Sequence, residues 1–229
     1  MNYEIIRDEG QLREFIAWLP DLEADETYLL CLLARKKYAP PGAALRDDKA
    51  QLKRVTATKE SLLQKIRQME GAIGSYVFKG GPVPQEALAL YITLNPRSLT
   101  IAARQLLIEL AHRITQPYNG YNPQSLALTE IQKAAGRKPY FDFDLDGVGP
   151  AEVLAAVRGN INLDALTVLL TRGGLHVLVE VGRIQEAYRK NWYQTMQALP
   201  GCDVRGDNLI PVPGCTQGGF TPSFLPAWA

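Results

Sequence analysis

The heptapeptide Pro139-Tyr140-Phe141-Asp142-Phe143-Asp144-Leu145 constrains the fold more than any other stretch of the chain. Large apolar residues alternate with acids, and a period of two marks a strand whose two faces differ. Phe141, Phe143 and Leu145 are expected in a core, while Asp142 and Asp144 share the opposite face, roughly 6.5 Å apart along the strand. Two like charges so placed repel. Hard carboxylate oxygens suit magnesium or manganese, and a pair of such ions ~3.5–4 Å apart serves phosphoryl transfer. The alternative is a strand edge with two solvated acids.

A second segment adds chemistry. Leu166–Leu170 reads as a strand, Thr171-Arg172-Gly173-Gly174 as a turn and Leu175–Val179 as the returning strand. His176 would share a face with Leu178 and Glu180. The glycines permit an anion to approach the backbone N–H groups closely, and Arg172 and His176 offer partners for phosphate. The arrangement suits a triphosphate.

These motifs resemble the archaeo-eukaryotic primase superfamily, in its primase-polymerase form. The first family motif, a hydrophobic strand ending in D-x-D or D-x-E, is matched by Asp142 and Asp144. The second, a small-residue turn leading into a histidine, is matched by Thr171 to His176. The third, an acid after an apolar residue on a later strand, is matched by Cys202-Asp203, with Asp207 as the alternative acid in a turn of Arg205-Gly206-Asp207-Asn208. The likeness covers residues 85–220 and departs from the pattern at Gly174, where serine is usual; the contact that hydroxyl makes would have to come from Thr171 or a backbone amide.

The resemblance implies a metal-dependent primase or polymerase that joins nucleotides on a DNA or RNA template. Asp142, Asp144 and Asp203 would hold two Mg2+ or Mn2+ ions, and His176, Arg172, Gly173, Gly174 and Thr171 would hold the incoming nucleoside triphosphate. Single-stranded DNA or a primer-template is the implied partner. A helicase or other replication protein is a further candidate partner; the chain itself carries no G-x-x-x-x-G-K-S/T loop.

Charge is distributed unevenly. Residues 1–30 carry eight acids against Arg7 and Arg13, whereas residues 35–67 carry ten basic residues, Arg46 among them, against three acids. The basic block is a candidate nucleic-acid surface, with Arg35, Lys36, Lys53, Arg54 and the later Arg97 as template contacts. Its plainer reading is the solvated side of a helix, since Leu52, Val55, Leu62, Leu63 and Ile66 form an apolar stripe over 47–70. Three cysteines without C-x-x-C spacing argue against a disulfide framework or a zinc ribbon. Without an apolar run of 18 residues or a signal peptide, a cytoplasmic protein with no membrane partner is expected.

The periodicities predict helices over 9–18, 25–38 and 47–70, a strand at 88–94 and a helix over 99–114. They continue with helices near 126–135 and 150–158, the hairpin around Gly173, a helix over 182–198 and a last hairpin at 202–213. The expected fold is α/β or α+β: a mainly helical region over 1–84, then a catalytic core over 85–229 with a mixed sheet layered by helices, the two forming either separate regions or one compact unit.

Two rival motifs overlap the acids. Asp142-Phe143-Asp144-Leu145-Asp146-Gly147 matches half of a calcium loop, but Val153 stands where its twelfth-position glutamate is needed. Phe143-Asp144-Leu145-Asp146-Gly147-Val148 also resembles the nucleophile motif of haloacid-dehalogenase-type phosphatases, with Asp144 as nucleophile and Asp146 as acid and base. Such enzymes need a long α/β chain after the motif, and 83 residues follow Asp146. A nucleic-acid-binding replication accessory without catalysis is the third possibility.

Overall fold

The computed structural model describes residues 1–43, 45, 47–79 and 81–225, so Arg46 of the basic block lies outside the described residues. In chain order the elements are α1 (Glu9–Trp18), β1 (Glu26–Ala34), β2 (Ala50–Ala57), α2 (Leu62–Arg67), β3 (Val77–Phe78), β4 (Gly81–Pro82), β5 (Leu88–Thr93) and β6 (Arg97–Ser98). They continue with α3 (Leu99–Ile114), α4 (Pro123–Lys133), β7 (Tyr140–Asp146), α5 (Pro150–Val157), β8 (Leu166–Leu170), β9 (Gly174–Glu180), α6 (Trp192–Gln197), β10 (Cys202–Gly206), β11 (Leu209–Pro211) and β12 (Ser223–Phe224). The fold is α+β, and no described helix is long and apolar enough to cross a membrane.

Two five-stranded sheets carry the architecture. The first runs β11-β5-β1-β2 with β6 beside β1, and the second runs β10-β7-β9-β8-β12. Neighbouring strands in both are antiparallel, so the expected mixed sheet is corrected. β1 and β2 precede residue 84 and β5 and β11 follow it, so one sheet spans that position.

The expected helices over 25–38 and 47–70 are corrected as well. Residues 26–34 form β1, the strand between β2 and β5, buried along its whole length. A strand covered on both faces loses the alternation that would identify it, and its leucines imitate a helix. Residues 50–57 form β2 because pairing with β1 from Tyr28↔Ala57 to Ala34↔Ala50 satisfies their backbone groups. Helix survives in that block only as the short α2.

The remaining helices begin where capping chemistry places them. Ser98 caps α3 by accepting from the Ile101 N–H, Asn122 caps α4 through Ser125, and Pro150 opens α5. The expected helix over 182–198 is confined to α6.

The outward face of β7 buries Phe143 and Leu145 against Val153 and Val157 of α5 and Met196 of α6. Trp192 and Tyr193 of α6 meet the Phe141 and Phe143 rings edge-on or tilted, as core residues. On the opposite face, Tyr140, Leu169 and Leu178 join α1 and the first sheet in a second core. That core fills only part of the face, and the rest opens as a cleft between the sheets.

The segment read as a hairpin at 202–213 crosses between sheets instead. β10 pairs with β7 and β11 pairs with β5, so the chain changes sheet at Asp207-Asn208.

Candidate functional site

Asp144 lines the cleft together with His176, whereas Asp142 and Asp203 are not among the residues that line it. The register places Asp144 directly opposite His176 of β9 on one side and Asp203 of β10 on the other. Opposed residues of antiparallel strands share a face. Three strands thus present Asp142, Asp144, His176 and Asp203 together.

Burial grades these groups. Asp142 is fully buried, His176 nearly so, Asp144 partly open and Asp203 more than half exposed on the edge strand. His176 Nδ1 lies 2.9 Å from Asp142 Oδ1, and its Nε2 lies 3.5 Å from Asp144 Oδ1. Burial alone would lower the imidazole's proton affinity, but the Asp142 charge and hydrogen bond, helped by Asp144, outweigh it and raise the pKa. The other Asp142 oxygen, Oδ2, is buried without a hydrogen-bond partner.

Arg205 completes the cluster and was not singled out from sequence as a site residue. Its Nε lies 3.4 Å from Asp144 Oδ2, and its Nη2 pairs with Asp203 Oδ2. The signal that could have found it is its position two residues after Asp203 on a strand.

Among the described residues no three acid, histidine or cysteine side chains stand gathered as a metal cage. Arg205 holds two of the acids and His176 the third. The donor chemistry suits a hard dication all the same: three carboxylates on one face, one with a buried oxygen that lacks a partner.

Asp207, the alternative third acid, is turned elsewhere. It accepts from Arg97 Nη1 and Nη2 at 2.6 and 3.0 Å and from Asn95 Nδ2 at 2.9 Å. Arg97 is 2 % exposed, so the template contact expected of it is corrected: its guanidinium is an internal partner of Asp207.

The expected phosphate turn is also partly used by the fold. Thr171 bonds the Gly174 carbonyl through both its N–H and its hydroxyl. Arg172 gives its guanidinium to the Gly218 carbonyl and stacks on the Tyr38 ring, 4.5 Å from the centroid. A Cβ at Gly174 would come 2.1 Å from the Leu145 carbonyl oxygen, so this glycine lets β9 approach β7 rather than an anion approach the turn. Gly173 alone of the pair lines the cleft.

The basic block divides in the same manner. Arg54 bonds Ser125 and Thr129 of α4, Lys53 bonds the Gln68 carbonyl, and Lys59 bonds Leu19 and Asp21. Lys36 is exposed outside the cleft lining. Arg35 does face the cleft, paired with Asp48 and donating to the Tyr91 hydroxyl at 2.6 Å.

The cleft itself encloses about 1070 Å³. Among the described residues seven cations line it, Arg35, Lys37, Lys49, Arg97, Lys133, Lys138 and Arg205, against four aspartates, so it favours a polyanion. Lys133 and Lys138 were not singled out from sequence, because they lie far from the basic block and converge with it only in the fold. Asp146 also lines the cleft, but antiparallel strands follow it rather than the α/β chain that the phosphatase reading needs. No protein-family model, curated protein or solved structure matches this chain.

Proposed function

We propose that the protein is a template-dependent nucleotidyltransferase of the primase-polymerase kind, acting on nucleoside triphosphates. The observation that carries the reading is the register that sets Asp144, at the wall of a basic cleft, between His176 and Asp203. Asp142, Asp144 and Asp203 would hold two Mg2+ or Mn2+ ions, which when bound neutralise charge on the reacting phosphate and activate the attacking hydroxyl.

The chain's own residues do the positioning. Asp142 orients the His176 ring through Nδ1 and favours its protonated form, which offers a donor to an anion. The cations of the cleft, chiefly Lys37, Lys49, Lys133 and Lys138, attract the triphosphate and the nucleic-acid backbone. Enclosure between two sheets lowers the local dielectric, which strengthens each of these contacts.

Primer extension and unprimed synthesis, run with each nucleotide set in Mg2+ and in Mn2+, test the reading. Synthesis by the parent and its loss in Asp144→Asn are expected. A parent without synthesis that hydrolyses a phosphomonoester through Asp144 and Asp146 would overturn it in favour of the phosphatase. Single-stranded DNA binding without either activity would favour a replication accessory.

A further inference from the structure

We propose that Arg205 is a built-in counterion of the acidic site: its guanidinium holds Asp144 and Asp203 together in the metal-free protein and withdraws when a dication binds. This rests on the nucleotidyl-transfer reading above, and it gives a role to a residue that reading does not use.

The backbone prepares the contact. β10 pairs with β7 residue for residue at Cys202↔Leu145, Asp203↔Asp144 and Val204↔Phe143, but the next pair is Gly206↔Asp142. Arg205 is therefore an extra residue, a bulge, and bulges re-aim a side chain at strand edges near functional sites. Gly206 permits it, with φ of 70° and with space at its Cα that a Cβ would fill to 3.3 Å from the Phe141 ring.

From this bulge the guanidinium bridges two strands, with Nε on Asp144 and Nη2 on Asp203. His176 lies between Asp142 and Asp144 in the same way. Acid and base thus alternate across three strands: Asp142, His176, Asp144, Arg205, Asp203. Without Arg205, Asp144 and Asp203 would face each other across a strand pair as like charges, which is destabilising.

The bridge is also able to open. The Arg205 side chain is 41 % exposed and sits on the edge strand, so solvent can receive it. Its withdrawal frees Asp144 Oδ2 and Asp203 Oδ2. Those two oxygens are hard donors that a dication would take, and the partnerless Asp142 Oδ2 belongs to the same sheet face. Arg205 already lines the cleft, so its guanidinium once released can reach the space an anionic substrate would enter. Metal binding is then a cation exchange, and it hands a positive charge to the substrate side.

The test uses the metal-free full chain without nucleotide. Mn2+ is titrated into the parent, Arg205→Gln, Arg205→Lys and Asp144→Asn, and free Mn2+ is read by electron paramagnetic resonance. A charge within 4–6 Å changes a carboxylate's proton affinity by ~1–3 log units, and a metal cation at the same oxygens feels a field of the same sign. Arg205→Gln is expected to bind Mn2+ about tenfold more tightly than the parent, at the low end of that range because the arginine is part-exposed, and Arg205→Lys to fall between. In chelator, Arg205→Gln should unfold at a lower temperature than the parent, and adding Asp203→Asn should restore the loss. If Arg205→Gln binds Mn2+ no more tightly while Asp144→Asn abolishes binding, the counterion role falls and the metal site stands. If the parent and every variant fail to bind Mn2+, the metal reading falls and the counterion role with it.

Discussion

Arg97 grips Asp207 with two prongs, Nη1 to Oδ2 at 2.6 Å and Nη2 to Oδ1 at 3.0 Å, inside a shell that leaves the arginine 2 % exposed. Asn95 bonds the same carboxylate, the Tyr140 carbonyl and the Tyr140 N–H. The network joins the loop after β5, the start of β7 and the crossover from β10 to β11. It ties the first sheet to the second beside the cleft.

Removing one partner of a buried pair leaves the other charge uncompensated, which costs about 3–5 kcal/mol. Arg97→Met and Asp207→Asn should each lose stability on that scale in urea unfolding, while Arg97→Met with Asp207→Leu recovers part of it. A purely template-binding Arg97 would leave the unfolding curve unchanged and weaken DNA affinity alone.

The three acids should separate in stability as well as in activity. Asp203 is more than half exposed, so Asp203→Asn should stay within about 0.5 kcal/mol of the parent while synthesis falls by orders of magnitude. Asp142 is fully buried against His176, and Asp142→Ala leaves that imidazole without its partner at a cost of about 1–3 kcal/mol. Denaturation curves beside primer extension check both.

How much of this was legible in the sequence depends on the local signal. β7 and the β8-β9 hairpin declare themselves by alternation and by a glycine turn, and α3 by Ser98 before an apolar helical run. β1 hides because burial on both faces removes its period, and β2 hides because Leu52 and Val55 are spaced three apart and align with the α2 stripe. Spacing alone puts Asp142 and Asp144 on one face and His176 beside Leu178 and Glu180, but the direct opposition of Asp144 to His176 and to Asp203 is a matter of register between segments distant in sequence. Arg97 and Arg54 were open to misreading for a related reason: a cation's partner in another element leaves no local trace.

The two glycines of the turn should respond in opposite ways. Gly174→Ala drives a methyl group against the Leu145 carbonyl, 2.1 Å away, and backbone cannot yield as a side chain tip can. The expected loss is about 3 kcal/mol or more. At Gly173 the nearest atom to a Cβ is Asp146 Oδ1 at 3.7 Å, so Gly173→Ala should fold normally. Equal loss in both variants would place the constraint on turn conformation rather than on strand approach.

Stability at acid pH should depend on Glu26. Burial by itself would raise its carboxyl, but hydrogen bonds from Arg137 overcome that and hold the pKa below the ordinary 4.5. A carboxyl lowered on folding stabilises above its unfolded pKa, and the contribution is lost as pH falls through the folded value. The gap in unfolding free energy between the parent and Arg137→Met should therefore be constant from pH 7 to about 5 and narrow as pH falls further, leaving the share of the Asp21 carbonyl bond that does not titrate. A gap that persists unchanged at pH 3 would assign Arg137 a role in packing alone.

Nucleic-acid binding should follow the cleft and not the basic block. Lys53, Arg54 and Lys59 each have partners within the fold and lie outside the cleft lining, whereas Lys37, Lys49, Lys133 and Lys138 line the cleft, Lys133 while paired with Glu130. Each cation that neutralises a phosphate of a single strand adds roughly 0.7 to the steepness of log affinity against log salt. Neutralising the four cleft lysines together should flatten that slope by up to about 2.8 in an anisotropy titration with a labelled single-stranded oligonucleotide. The matched variant with Lys53, Arg54, Lys59 and Lys65 neutralised should keep the parental slope and lose stability instead, because Arg54 tethers β2 to α4. The reverse outcome would move the template path out of the cleft to the solvent side of β2 and α2.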